Sequence, residues 1–460
     1  MTRKARRATI APRLEILESR ALLSATPNPS LSVLVRFDSG VSSTTEQAVF
    51  RAIGGQPVES FPEGPTVVEL GAGANVPAAL QALRSNPSVQ YAESDSSLQA
   101  AEVTPNDPLF PRLWGLSNPN GVAIDAPAAW SVTTGTPTTI VAVLDTGLDL
   151  SNPDFAGRIW VNPNGGSGAD GFVGDVNGWN FVDNSPNVLD NDGHGTHVTG
   201  TLAAAGNNGY GIAGVDWKAT IMPVKVLDST GSGTTDAAVA GIYFAVGHGA
   251  RVINASWGGG NYSQAMADAI AFAGQHNVVF VTAAGNDGTN SDRVPSYPAG
   301  YRLPNEIAVA AVDQNGNLAG FSDYGATTVD LAAPGVNIMS TVPGGYAVYS
   351  GTSMATPHVA GVVALLEGLH PEFTAAQLVQ QVLATAKPLA SLSGKTITGG
   401  IVDAAAALGA SAVTPLVSAS YTPAPAPSVL KKHAVKVHKP VHHLAPHAIK
   451  LRVEYHQSRP

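Results

Sequence analysis

Apolar, largely β-branched runs of strand length alternate with longer stretches of helix type through the middle of the chain. No other feature constrains the fold as strongly. The strand-like runs cover residues 139–144, 221–226, 251–255, 278–282 and 306–312; the helix-like stretches lie near 194–205, 235–248, 263–276, 353–368 and 374–385. Such alternation predicts an α/β fold with a mainly parallel sheet and helices on both faces. A composition of 44% hydrophobic and 13% charged residues, with 49 glycines, suits tightly packed layers rather than disorder.

Chemistry enters at Gly351-Thr-Ser353-Met-Ala-Thr-Pro357, which sets a serine at the mouth of the 353–368 helix. Backbone N–H groups are unpaired there and the helix dipole favours negative charge. A serine in that place either caps the helix or attacks a carbonyl whose oxyanion is stabilised nearby. The chain supplies what the second reading needs. The run Thr139–Leu144 ends in Asp145, and a carboxylate at the C-terminal end of a buried strand faces the ligand crevice of an open α/β sheet. Asp192-Gly-His194-Gly-Thr-His197-Val-Thr-Gly200 places His194 at the start of another helix of small residues. The order Asp, His, Ser is that of subtilisin, not of chymotrypsin or the α/β hydrolases.

Four blocks in family order carry the resemblance. They are Val143-Leu-Asp145-Thr-Gly, His194-Gly-Thr-His-Val-Thr-Gly, Ala283-Ala-Gly285-Asn286-Asp and Gly351-Thr-Ser353-Met-Ala-Thr-Pro-His. On these the chain resembles the subtilases, the subtilisin-like serine proteases. The resemblance implies a secreted endopeptidase that works through an acyl-enzyme. Ser353 is then the nucleophile, His194 the base and later the acid, and Asp145 the group that orients His194. Asn286 corresponds to the oxyanion-hole asparagine. Ser256, Trp257 and Gly258 match the strand that pairs with an extended peptide, with Ala283 and Gly285 in the same cleft. Gly258 and Ser296 border the pocket for the residue before the scissile bond, and Asp287 mildly favours a basic one. No acidic cluster of the processing-protease type is present, so broad cleavage is expected. His197 and His358 read as packing. The alternative from another class is a catalytically silent surface-binding protein on the same fold.

The chain has no cysteine, which excludes disulfides, zinc–thiolate sites and a cysteine nucleophile. By resemblance, structural Ca2+ supplies the missing rigidity. Its expected ligands are Asp154, Asn208 and the carbonyls of Gly206, Tyr210 and Ile212. Asp183, Asp190 and Asp192 cluster before His194; with Asn180 they read equally as a second calcium site or as a surface loop of Asx turns. The stretch 159–175 looks inserted relative to short subtilisins, and Asp170 and Asp175 hint at a weakened cation loop.

Charge is uneven. The net −9 combines +4 over residues 1–20 and +6 over residues 431–460 with −19 between them. An acidic body argues against nucleic acid as a partner. No apolar stretch reaches the roughly 18 residues of a transmembrane helix.

The expected organisation is a targeting segment at 1–25, an inhibitory propeptide at 26–103 and a catalytic domain at 104–411, then a Pro/Ala/Ser linker at 412–430 and a basic His-rich tail at 431–460. The targeting segment resembles the export segment common on planctomycete surface proteins. Residues 31–100 alternate strand and helix in a small α+β pattern similar to the subtilase propeptide, an intramolecular inhibitor. Autocleavage is expected between about Ser97 and Val103. The tail holds six of twelve histidines and could bind transition metals or anionic surface polymers.

Overall fold

The computed structural model describes residues 31–95 and 102–409, with two short strands at 451–452 and 456–457. The chain divides into two compact units, residues 1–99 and 100–460.

The first unit contains β1 (Ser32–Phe37), α1 (Ser43–Ala52), β2 (Gly55–Ser60), β3 (Thr66–Leu70), α2 (Val76–Arg84) and β4 (Val89–Ser94). Its four strands form an antiparallel sheet in the order β2-β3-β1-β4. Ser42 and Asn75 cap the two helices with side-chain oxygens. Val33, Val35, Phe50, Val68, Leu70, Leu80 and Leu83 form the core. The strand that sequence reasoning missed is β2. Five of its six residues are exposed and Pro57 interrupts it, so it lacks the alternation that marks a half-buried strand.

The second unit contains α3 (Ala126–Val132), β5 (Ile140–Asp145), β6 (Trp179–Asn180), α4 (His194–Ala203), β7 (Thr220–Lys225), β8 (Ser232–Gly233), α5 (Thr235–Gly247), β9 (Val252–Ala255) and α6 (Gln264–Gln275). It continues with β10 (Val279–Ala283), β11 (Glu306–Val312), β12 (Leu331–Pro334), β13 (Ile338–Val342), β14 (Gly345–Ser350), α7 (Thr352–Leu369), α8 (Ala375–Ala384), β15 (Lys387–Pro388), β16 (Gly400–Ile401) and α9 (Ala404–Gly409). The main sheet has nine strands in the order β15-β16-β12-β11-β10-β9-β5-β7-β6. All its pairings are parallel except β15 with β16.

Side-chain alternation along β5 explains the two layers. Val141 and Val143 join the core with α4, α7 and α8, whereas Ala142 and Leu144 join the core with α5 and α6. Helices therefore cover both faces, as the alternating pattern requires. Two helices depart from amphipathic patterning: α4 is buried from His194 to Ala203 and α7 from Thr352 to Glu367. A helix apolar on every side is a buried helix. The hairpin β13–β14 packs against α4 and precedes α7. Strand β17 (Leu451–Arg452) pairs with β8, and β18 (His456–Gln457) pairs with β14. No helix of the described residues is long and apolar enough to cross a membrane.

Candidate active site

The sheet order reverses at β5, which lies between β7 and β9 although both follow it in sequence. Loops leave a crevice beyond the strand ends at such a switch point, and Asp145 is the last residue of β5. Its carboxylate is fully buried. Oδ1 accepts the Thr146 N–H at 2.7 Å and lies 2.7 Å from Nδ1 of His194.

His194 opens α4 immediately after Gly193, whose φ of 106° only glycine adopts easily. The next residue, Gly195, fixes how near the helix comes. A Cβ there would lie 2.3 Å from the Gly147 oxygen. Glycine thus lets the helix seat on the turn after Asp145, which makes the Asp145–His194 contact possible.

Lys225, which sequence reasoning did not assign, and Asp190, which it gave to a second calcium site, support this pair. Lys225, 3% exposed at the end of β7, donates to the carbonyl oxygens of Thr146 and Leu227. Asp190 braces the turn from the other side. Its Oδ1 accepts from Thr146 Oγ1 and Gly193 N, and its Oδ2 accepts from Thr196 N and Oγ1.

Burial alone would depress the pKa of His194. The Asp145 charge and hydrogen bond oppose this, with the charges of Asp192 and Asp190 behind them, and the net result is a pKa raised above the ordinary 6.5. Among the described residues, the other two buried histidines behave oppositely. Burial holds His197 down to about 3 and His358 to about 4, so both are neutral. His197 stacks on Tyr349 and faces the Ile338 oxygen at 3.0 Å. His358 Nδ1 lies 2.9 Å from the Met354 oxygen. Both are packing residues, in keeping with their sequence reading.

Ser353 is the second residue of α7 and is 2% exposed. Its Oγ donates to the Ser256 carbonyl oxygen at 2.9 Å. Asn286 follows β10. Its Oδ1 accepts from Thr352 N at 2.8 Å and Thr352 Oγ1 at 2.9 Å. Both bonds hold the oxygen end of the amide, which makes its nitrogen the donor end of a fixed side chain. The turn before it needs glycine: Gly285 has φ 120°, and a Cβ there would lie 2.1 Å from Asp323 Oδ2. Trp257, Gly258, Gly259, Ala283, Gly285, Asn286, Asp287, Ser296, Thr352 and Ser353 line one cleft of about 260 Å³. The sequence-assigned cleft residues Trp257, Gly258, Ala283 and Gly285 therefore share a wall with Ser353 and Asn286. Ser256 is buried just beneath it.

The proposed calcium loop has donors of the right kind. Asp154 is fully buried and Asp107 is 2% exposed; Oδ1 of each is buried without a hydrogen-bond partner. Burial raises the pKa of both, and the charge of Asp107 raises Asp154 further. Two neighbouring buried carboxylates with unpartnered oxygens fit a hard cation. Asn208 and Tyr346 hydrogen-bond to Asp154, as does the Ile212 N–H. For Gly206 the evident constraint is packing: a Cβ would lie 2.3 Å from the Trp217 ring. Tyr210 is 48% exposed. Sequence reasoning missed Asp107, although the polar Asn106-Asp107-Pro108 turn was a usable signal.

The acids of the second expected calcium set already serve the surrounding backbone. Among the described residues, Asp183, Asp190 and Asp192 do not form a group with converging ligand oxygens. Asp190 spends its oxygens on α4 and Thr146, as above. Asp192 Oδ1 accepts the His194 N–H, and Asn180 Oδ1 accepts the N–H groups of Val182 and Asp183. These are Asx turns that build the approach to His194.

A buried aspartate–histidine pair at a sheet switch point, a serine at a helix mouth and a braced amide across one cleft define a hydrolase built for acyl transfer. The Subtilase family model matches residues 136–419, and the Fervidolysin N-terminal prodomain model matches residues 32–95. The chain belongs to the subtilase family and is a serine-type endopeptidase with its own prodomain. It is 45% identical to thermitase of Thermoactinomyces vulgaris over 265 residues, 57% of this chain and 85% of that protein. It is 38% identical to the thermophilic serine proteinase of Bacillus sp. strain AK1 over 335 residues, 73% of this chain and 77% of that protein. A solved protease of Pseudoalteromonas arctica superposes with a TM-score of 0.57 at 33% identity, covering 67% of this chain and 99% of that one.

Proposed function

We propose that Asp145, His194, Ser353 and Asn286 carry out peptide-bond hydrolysis in this chain, that calcium braces the catalytic domain, and that the protein is exported as a zymogen. The observation that carries the reading is the 2.7 Å contact between buried Asp145 and His194, in the domain whose α7 presents Ser353 to the cleft.

The Ser353 hydroxyl first leaves the Ser256 carbonyl, and its proton passes to Nε2 of His194. Oγ attacks the scissile carbonyl carbon. The Nδ1–H of His194 stays donated to Asp145, which stabilises the imidazolium. The oxyanion accepts from the Asn286 amide and the Ser353 N–H. The imidazolium then protonates the leaving amine, the C–N bond breaks, and water repeats the sequence to free the acid. Ser256, Trp257 and Gly258 extend the chain beyond β9 and offer backbone to an extended peptide, which is tolerant of sequence.

Asp154, Asp107 and Asn208, with the carbonyls of Gly206, Tyr210 and Ile212, would hold the calcium ion. When bound, the ion neutralises the buried carboxylates and ties Asp107 to the loop; it takes no part in the chemistry. The prodomain is read as an intramolecular inhibitor released by cleavage between about Ser97 and Val103. That segment lies mostly outside the described residues, as do the export segment at 1–25, the linker and most of the tail.

Expression of residues 26–460 beside the Ser353→Ala variant tests the reading. The wild type should lose its N-terminal unit, and the variant should stay intact. Identical, uncut products from both would favour a silent binding protein.

A further inference from the structure

The inserted stretch and the end of α5 bring together three ligand-type side chains, none of which belongs to the calcium loop. They are Asp170, Asp175 and His248, whose ligand atoms all lie within 4.8 Å of one another. His248 Nε2 is 2.9 Å from Asp170 Oδ2 and 3.7 Å from Asp175 Oδ2. We propose that Asp170, Asp175 and His248 form a divalent transition-metal site, with zinc as its ion.

The tautomer of His248 is the first argument. Its Nδ1 lies 2.8 Å from the Phe244 carbonyl oxygen. A carbonyl only accepts, so Nδ1 carries the proton. Nε2 is then the nitrogen left to bind an ion, and it points toward two carboxylate oxygens. Three acceptors face one another with a cation as the natural occupant. Imidazole with its second nitrogen tied to a backbone carbonyl is the usual posture of a metal-ligating histidine.

Asp175 is the second, independent argument. It is fully buried, and its Oδ1 has no hydrogen-bond partner. Its Oδ2 accepts from the Asn162 amide at 2.7 Å. A proton on Nε2 would serve one oxygen and leave the buried carboxylate under-satisfied. A divalent ion serves all three groups.

Spacing and chemistry select the ion. Ligand atoms about 2.1 Å from a tetrahedral zinc lie roughly 3.4 Å apart. The observed 2.9 and 3.7 Å bracket that separation. Calcium instead needs six to eight oxygens, whereas one imidazole and two carboxylates suit zinc. The Asp170 side chain is 28% exposed, so water can complete the shell. Trp160, Phe172 and Phe244 ring the imidazole and shield the inner side.

Full-length Ser353→Ala protein, which cannot digest itself, is stripped with a chelator, saturated with calcium and titrated with zinc by calorimetry. The histidine-rich tail contributes the same background to every variant. Adding His248→Gln or Asp175→Asn should remove one zinc equivalent and abolish the zinc-induced rise in melting temperature. The exposed Asp170→Asn change leaves the buried groups untouched. It should weaken zinc by at least the roughly 10–100-fold that loss of a supporting partner costs. Identical zinc isotherms in parent and Asp170→Asn protein would overturn the proposal. So would a site that answers to calcium and not to zinc.

Discussion

Ser256 and Ser353 exchange hydrogen bonds: each hydroxyl donates to the other's backbone carbonyl oxygen at 2.9 Å. The nucleophile's helix is thereby tied to the substrate strand, and Asn254 Nδ2 holds Ser256 Oγ in turn at 2.9 Å. Ser256→Ala removes one tie worth about 1 kcal/mol. We expect kcat to fall about fivefold with KM little changed, read by steady-state kinetics on a peptide amide.

Thr352 holds the oxygen end of Asn286 with both its N–H and its hydroxyl. Asn286→Ala should lower kcat about 100- to 1,000-fold. Thr352→Val keeps the N–H and loses the hydroxyl, so about a tenfold loss is expected. The double variant should be no slower than Asn286→Ala, because Thr352 acts through the amide. Fully additive losses in a double-mutant cycle would contradict this.

The raised pKa of His194 sets the acid limb of activity. The imidazole must be neutral to accept the Ser353 proton, so kcat/KM should rise through a pKa above the ordinary 6.5. Asp192 is one of the charges that sustain the shift. Asp192→Asn should therefore move the acid limb to lower pH and leave the plateau nearly unchanged. A pH profile of kcat/KM decides.

Burial, with help from the charge of Asp330, pushes Glu306 up to about 8. Its Oε2 accepts the Leu303 N–H while Oε1 is buried without a partner. The unfolded chain releases this proton near 4.5, but the folded chain keeps it until about 8. The stability it contributes is full below the lower value and is lost as pH rises through the upper one. Glu306→Gln should flatten that loss and raise the melting temperature at pH 8 by a few degrees, for on the order of 2 kcal/mol. Thermal melts across the interval test it.

Chelation should lower the melting temperature of the mature enzyme, since Asp107 and Asp154 would then face each other uncompensated. Asp107→Asn should reduce both the calcium-bound melting temperature and its response to chelator. An unchanged melting curve would remove calcium from the loop.

The strands and helices of the catalytic domain were legible because each is bounded and strongly patterned. Runs expected at 139–144 and 306–312 are strands at 140–145 and 306–312. The helix expected at 353–368 spans 352–369. What escaped was structure without local pattern. Strand β12 is four residues of Leu-Ala-Ala-Pro, and β13–β14 is a hairpin of mixed polarity. The site was half legible for the same reason. Asp145, His194, Ser353 and Asn286 sit in dense local motifs, but Asp107 and Tyr346 reach Asp154 across the fold. Asp190 and Asp192 carried the right charge for calcium; backbone and hydroxyl donors hold both oxygens of Asp190, and the His194 N–H holds Oδ1 of Asp192, in a turn that exists only in the fold. Likewise nothing near His248 in sequence announces Asp170 and Asp175.

Buried α7 has a consequence for synthesis. It packs against β9, β10, β11, β12 and α4, which precede it in the chain, and against α8 and α9, which follow it. Ribosomes therefore deliver the nucleophile after the acid, the base and the strands on which its helix packs. A nascent chain that has yet to emit Leu369 holds an acid and a base but no completed helix to carry the attacking oxygen. Until that helix is made, the Asp145–His194 pair has no hydroxyl to activate.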